Sequence, residues 1–332
     1  MKDARAQGLA QWARNADLKV HIPDQAILAP VSDDASFRRY FRFDSAASGI
    51  VFVDAPPSHE DNESFIKVSL ALGQAGLHVP HVLAVDLDLG YLAVTDLGDR
   101  VYLHEMVKDP ACIASLYDKA NDALMTMIAV DCDLPPYNHS RLMTEMSLFH
   151  EWFLAKQLNI AVSEATRVML TDVYDFLAGS ALAQPTGFVH RDYHCRNLMV
   201  AGIESPGILD FQDAVVGPIT YDLVSLYKDC YFRFERDFVI EQVEKFNSQL
   251  IDTGIVGEST PLLRWFDLMG AQRHLKCAGI FSRLNLRDGK PGYLSDIPLV
   301  IDYLIETAGL YSELAEFHTW LLAVVYPKLQ NA

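Results

Sequence analysis

The stretch FVHRDYHCRNLMV, residues 188–200, decides how this chain is read. Two short apolar runs, Phe188-Val189 and Leu198-Met199-Val200, bracket two histidines, two arginines, an aspartate and an asparagine. A polar loop held at both ends by buried structure is where catalytic groups tend to be carried, although a solvated turn has similar composition. The continuation LMVAGIESPGILDFQD, residues 198–213, reads as a hairpin: two apolar runs separated by a turn rich in Gly, Glu, Ser and Pro. Closing that hairpin makes Asn197 and Asp210 cross-strand neighbours, roughly 5 Å apart. An Asn oxygen beside an Asp carboxylate is a pair of hard ligands suited to Mg²⁺, which takes few protein oxygens and fills its shell with water and phosphate. Asp192, five residues before Asn197, is placed to accept a proton from an attacking hydroxyl.

The chain around this stretch has 332 residues, long for one core, so two lobes are expected. With 50% hydrophobic and 21% charged residues it is globular. A net charge of -17 repels phosphate backbones and anionic lipids, which argues against nucleic acid or membrane as the main partner. The five cysteines are scattered and show no C-x-x-C spacing, so they read as reduced thiols without a zinc site. The N-terminus has the spacing of a short amphipathic helix and lacks a signal-peptide core, and no apolar run reaches spanning length, which makes a cytoplasmic location the expectation. Oligomeric state leaves no trace in the sequence.

Texture changes near residue 100. Before it lie short strand-like runs, AILAPV, FRRYFRF, IVFVDAPP, HVLAVDL and YLAVTDL, with one helical stretch near 60–75. After it, helical periodicity covers about 111–130, 141–158, 163–183, 220–230, 234–252, 258–285 and 296–327, broken mainly by the strand pair near 197–210. The pattern is α+β, with a strand-rich N-terminal lobe over 1–97 and a helical C-terminal lobe over 98–332.

The order His190-x-Asp192-x-x-x-x-Asn197, followed by Asp210-Phe211-Gln212, resembles the catalytic and metal-binding segments of the protein-kinase superfold. With GPITYDLVSL after it, the segment is more similar to the aminoglycoside phosphotransferase and choline kinase-like family. The resemblance implies a bilobal protein kinase-like fold that uses ATP and Mg²⁺. It implies Asp192 as catalytic base, His190 as the residue fixing the loop from behind, and Asn197 and Asp210 as metal ligands. It implies Asp222 as the buried aspartate anchoring the loop, though a helix N-terminal carboxylate complementing the dipole fits the same letters. Asp213 is a further acidic candidate, and Arg191, His194 and Arg196 take no role from it.

SDDASFRRYFRF, residues 32–43, occupies the place of the phosphate-covering hairpin, yet it has no glycine. Ser36 and the backbone around it would have to meet phosphate there. The strand IVFVDAPP lacks the lysine that such kinases use to grip phosphates and carries Asp54 instead. Either Arg38, Arg39 or Arg42 replaces it, with Arg42 and then Arg38 preferred, or tight phosphate binding is lost; a reversed Asp54–Lys67 pair is a further option. YLAVTDLGDR resembles the linker between lobes, where adenine would bond to backbone around Thr95, Asp96 and Leu97.

For the acceptor, residues 264–290 carry Arg264, Arg273, Lys276, Arg283, Arg287 and Lys290 against Asp267 and Asp288, a local charge of +4. In so acidic a chain this points to a neutral or anionic acceptor, unless it is a solvated helix face. Together with DASFRRYFR, LFHEWFL and DGKPGYLSDIP, the segment is similar to bacterial anomeric kinases of N-acetylmuramate and N-acetylglucosamine in cell-wall recycling. That resemblance makes Arg273 and Lys276 candidates for a sugar carboxylate, and Glu145, Glu151 and Trp152 candidates for hydroxyls and ring. The expected activity is transfer of the γ-phosphate of ATP to a hydroxyl of a small sugar. The alternatives are an aminoglycoside phosphotransferase and a nucleotide-binding scaffold without turnover.

Overall fold

The computed structural model describes residues 3–32, 37–44, 49–202 and 206–330. They fall into two compact units, Met1–Cys132 with Arg196–Ala214, and Asp133–Cys195 with Val215–Ala332.

The first unit opens with helix α1 (Ala4–Asn15), whose Asp3 cap accepts the Ala6 amide. Strands β1 (Leu28–Ser32), β2 (Arg39–Phe43) and β3 (Ile50–Asp54) follow, then helix α2 (Asn62–Gln74), β4 (Val82–Asp86) and β5 (Tyr91–Thr95). The antiparallel sheet has the order β1-β2-β3-β5-β4. Strand alternation puts Arg39, Phe41 and Phe43 on one face and Arg38, Tyr40 and Arg42 on the other. Phe41, Phe43 and Phe52 bury against Leu9 and Ala13 of α1, each large side chain contributing about 1.5–3 kcal/mol. Asp54 lies opposite Arg39 in the register and so shares that face.

Helices α3 (Tyr102–Lys108) and α4 (Ile113–Ile128) complete the continuous part of this unit. The contact border therefore falls at Cys132, beyond the change of texture near residue 100 and the lobe boundary expected at 97. Texture follows element type, whereas the border follows contacts. The Val200 amide donates to the Arg100 carbonyl at 2.7 Å, the Ile208 amide to His78 at 2.8 Å, and Lys119 Nζ to Gly202 at 3.3 Å. These bonds draw residues from far along the chain into the first unit.

The second unit begins with helix α5 (His139–Leu148), which runs into a π-helical segment at Phe149–Gln157, then helix α6 (Glu164–Leu182) and strand β6 (Thr186–Val189). The first unit's hairpin comes next, β7 (Leu198–Met199) with β8 (Gly207–Ile208), paired Leu198 to Ile208. Strand β9 (Val215–Pro218) returns the chain to the second unit and pairs with β6, Val189 opposite Val215. Helices α7 (Tyr221–Tyr227), α8 (Arg236–Asp252), α9 (Leu262–Asp288) and α10 (Ile297–Leu310) follow. Gly289, at φ 65°, stops α9 after 27 residues. Buried residues encircle α9, and Asp267, Arg273, His274 and Lys276 are among them, so residues 264–290 are no simple basic surface face. Among the described residues no helix is long and apolar enough to cross a membrane.

Gly279 of α9 lies where an added Cβ would stand 2.4 Å from the Leu148 carbonyl carbon and 2.6 Å from its oxygen. Gly279→Ala gains up to about 1 kcal/mol of helix propensity, but the clash is with backbone that cannot swing aside. A net loss of about 1–3 kcal/mol is expected, read as a lower urea midpoint with an unchanged slope.

Candidate active site

Two groups of polar residues carry the candidate chemistry, one in each unit. In the second unit, β6 delivers the chain directly into His190, Arg191 and Asp192. Asp222, in the first turn of α7, accepts the His190 amide at 2.6 Å and the Arg191 amide at 2.9 Å. Burial pushes the Asp222 carboxyl up to about 7, against the lowering effect of those two bonds. Both readings of Asp222 from sequence thus meet in one residue, which sits at a helix start and fixes the loop. His190 is fully buried, its ring lies edge-on to Tyr193 at 5.8 Å, and its Nδ1 accepts the Asp192 amide at 3.3 Å. Arg191 has φ 80°, a conformation that costs a non-glycine residue about 1–3 kcal/mol and persists only when its surroundings enforce it.

Asp192 itself is half-buried. Burial pushes its carboxyl up, but Lys276, His194, Arg191 and Arg273 together outweigh that and hold it at about 2. It is ionised at neutral pH and set among cations. Lys276 is buried on α9, with Nζ donating to Tyr221 Oη at 2.9 Å and 3.8 Å from Glu145. Arg273, also buried, points Nη1 at Cys230 Sγ, 3.7 Å away. Glu145 belongs to the same cluster: Oε1 accepts Arg191 Nη2 at 2.5 Å, and Oε2 accepts the hydroxyl of Tyr137. Both oxygens of Glu145 therefore have partners inside the protein. Trp152 is half-buried on the π-helical segment, with Lys156 Nζ 3.3 Å from its ring centre.

In the first unit the hairpin β7–β8 does what its sequence predicts. Asn197 Nδ2 lies 3.3 Å from Asp210 Oδ2, and the Leu209 amide donates to the Asn197 carbonyl at 3.0 Å. Gln212 Nε2 donates to Asp210 Oδ1 at 2.7 Å, a neighbour that sequence reasoning passed over. Asp210 is held at φ 65°. A carboxylate and an amide oxygen, adjacent and of hard character, fit Mg²⁺. Among the described residues no cluster of three or more His, Cys, Asp or Glu offers an alternative metal site.

The sheet of the first unit redistributes the arginines. Arg42 makes a two-pronged bond to Asp96, Nε at 2.6 Å and Nη2 at 2.7 Å, with Nη1 on Asp99 and Nη2 also on the Gly98 carbonyl. The guanidinium preferred from sequence for phosphate is thus committed to the segment after β5. Asp54 bonds Arg5 at 2.5 Å and also Arg39, which reaches Asp3 as well. The expected Asp54–Lys67 pair is corrected accordingly: Asp54 is taken by Arg5 of α1 and by Arg39 of the neighbouring strand β2. Arg38, on the opposite face, is buried, 3.4 Å from Glu60 and 4.9 Å from the centre of the Phe65 ring. Phe65 stacks at 4.9 Å on Phe211, the residue next to Asp210. Ser36 lies outside the described residues. Thr95 ends β5, its hydroxyl accepting the His81 amide at 2.9 Å; the Asp96 amide donates to Gly49 at 2.9 Å, and Leu97 packs against Gly207.

With an anchored Asp192 followed in the chain by the Asn197–Asp210 pair, residues 27–256 match the phosphotransferase enzyme family. The chain belongs to that family. It is similar to the N-acetylmuramate/N-acetylglucosamine kinase of Pseudomonas aeruginosa, 41% identical over 324 residues that cover 95% of each chain. The enzyme of the same name from Neisseria meningitidis is 39% identical and covers 88% of this chain and 89% of its own. Among solved structures, an ADP-bound aminoglycoside phosphotransferase superposes with a TM-score of 0.59 at 12% identity, over 90% of this chain and 98% of that one. A choline/ethanolamine kinase family protein from Mesorhizobium loti gives 0.61 at 14%, over 93% and 98%. The phosphotransferase therefore has the protein kinase-like fold expected from the loop, with a strand-rich N-terminal sheet and a mostly helical remainder, and it is a small-molecule kinase.

Asp222→Asn keeps shape but replaces one accepting oxygen with a donor that faces a donor. For this phosphotransferase we expect a loss of about 1–3 kcal/mol in chemical denaturation, with turnover falling further than stability alone dictates.

Proposed function

We propose that this phosphotransferase moves the γ-phosphate of ATP to a hydroxyl of a small amino sugar, with N-acetylmuramate and N-acetylglucosamine as acceptors and the anomeric hydroxyl as the reacting group. The observation that carries the reading is the Asp192 carboxylate, on a loop anchored by Asp222 and in the field of Lys276, Arg191 and Arg273. A carboxylate there can accept the proton of an attacking hydroxyl, while the cations favour a neutral or anionic acceptor and disfavour a polycationic aminoglycoside. The names of the relatives at 41% and 39% identity support the same acceptor class.

In this reading the protein contributes position and charge, with no covalent intermediate. Asp222 fixes the loop main chain and His190 fills the space beneath it, so that the Asp192 carboxylate is held for the acceptor hydroxyl. Asn197 and Asp210 hold Mg²⁺, which supplies charge neutralisation to the phosphates when bound. Arg38 takes the place of the missing lysine, since its buried guanidinium stands over Phe65, which stacks on Phe211, the residue next to Asp210. The backbone from Thr95 to Leu97 receives the adenine. Lys276 and Arg273 supply positive potential for the carboxylate of an acidic amino sugar.

The deciding measurement is ADP release with a panel of amino sugars and aminoglycosides, with the product identified by NMR. Transfer to an N-acetylated amino sugar is expected. Asp192→Asn should lower that turnover by roughly 10²–10⁴ with nucleotide affinity nearly unchanged. Turnover with aminoglycosides alone would replace the acceptor, and no transfer to either class would leave a nucleotide-binding scaffold.

Arg38→Ala should weaken nucleotide use by about 1.5–3 kcal/mol, the scale of a charge-assisted bond, with Arg38→Lys restoring part of it. Arg42→Ala should instead lower the melting temperature, because its partners are Asp96 and Asp99. Kinetics and melting of the three variants side by side separate these roles.

A further inference from the structure

Arg191 stands immediately before Asp192, and its backbone adopts φ 80°, which side chains other than glycine avoid. Something must hold it there. Asp222 grips the peptide from below through the His190 and Arg191 amides. The Arg191 side chain supplies a second hold: its guanidinium is half-buried and donates to Glu145 Oε1 at 2.5 Å. Glu145 is itself fixed. Its other oxygen accepts from Tyr137, whose hydroxyl also accepts Gln272 Nε2 of α9 at 3.2 Å, and Lys276 of α9 stands 3.8 Å away. Helix α5 in turn meets α9 where Gly279 lets the Leu148 backbone approach.

We propose that Glu145 is a positioning residue for phosphoryl transfer: through the Arg191 guanidinium it holds the strained peptide that aims the Asp192 carboxylate, and it makes no contact with acceptor or nucleotide. The arrangement explains why an arginine is kept at a backbone position suited to glycine. A glycine would accept φ 80° without cost, yet it would also let the peptide leave it. The arginine is strained but tethered from both sides. Two further consequences follow. The pair acts as one device, so losing either end loses the whole effect. The effect also lies in turnover, because the tether touches no substrate. This inference rests on Asp192 being the base, and the experiment separates the two.

The parent, Asp192→Asn, Glu145→Gln, Arg191→Gln, Arg191→Gly and the double variant Glu145→Gln/Arg191→Gln are compared by steady-state kinetics with ATP and an N-acetylated amino sugar, each checked by circular dichroism. Glu145→Gln should lower kcat 10- to 100-fold while KM for both substrates stays within threefold. The double variant should be no more than threefold worse than the poorer single variant. Arg191→Gly, which removes the strain together with the tether, should fold well and still lose kcat to the same degree. Should Glu145→Gln fail to fold, Arg191→Gly decides alone. The proposal is overturned if Glu145→Gln or Arg191→Gly keeps kcat within twofold of the parent, if the losses multiply in the double variant, or if KM for the acceptor rises while kcat holds, which would make Glu145 an acceptor contact. An inactive Asp192→Asn beside a fully active Glu145→Gln removes the tether alone, whereas an active Asp192→Asn removes the base.

Discussion

Asp222 accepts two consecutive main-chain amides, His190 at 2.6 Å and Arg191 at 2.9 Å, from a buried position in the first turn of α7. Two consecutive amides held on one carboxylate fix the main chain where it enters the loop, and the next rotation, at Arg191, has a positive φ. Around it the second unit is arranged with little freedom. Strand β6 pairs with β9 in a register that ends at Val189 and begins at Val215, which sets where the loop leaves and where α7 starts. The Tyr137 amide bonds Val216 at 2.8 Å, which brings the segment before α5 to the same sheet. A carboxylate deprived of water is poorly solvated, and this one gains main-chain donors in compensation.

Charge in this cluster is organised differently from the surface of so acidic a protein. Lys276, Arg273 and Arg191 are drawn inside and meet Glu145, Asp192 and the hydroxyls of Tyr137 and Tyr221. Burial alone would raise the Glu145 carboxyl, but Lys276, Arg191, the Tyr137 hydrogen bond and Arg141 together hold it below its ordinary value. An anion held by such fixed cations needs little reorganisation when a reaction moves charge nearby, which is how a low-dielectric site contributes to rate.

How much of this was legible in the sequence depends on the range of the interaction. The β7–β8 hairpin that pairs Asn197 with Asp210 is local, and apolar runs around a turn identify it directly. The strand-rich start and helical remainder followed from periodicity, and the family likeness from the order of His190, Asp192, Asn197 and Asp210. The pairing of Asp54 with Arg5 was hidden because it depends on where α1 docks, and no local pattern announces a docking site. Arg42 looked available because Asp96 lies 54 positions away along the chain. The burial of Arg273 and Lys276 was masked by the length of α9: a helix covered on all sides shows no polar stripe to read. Arg191 took no role from the sequence and Glu145 was read as a sugar contact, and only the fold makes them a pair.

The membership of Arg196–Ala214 in the first unit bears on how the chain reaches its native state. A ribosome releases the five strands of the sheet early, yet the hairpin that bonds Arg100 and His78 emerges only after α5, the π-helical segment, α6 and β6 have been made. The N-terminal unit is therefore not a segment that can finish folding as it is synthesised, and no single cut of the gene isolates it. Contacts that close so long a loop come late and are slow to form. Until then, the partners of the hairpin are exposed on the nascent chain. Asn197 and Asp210 would thus take their places only after the part of the second unit that precedes them has been made, ahead of Asp222, Arg273 and Lys276.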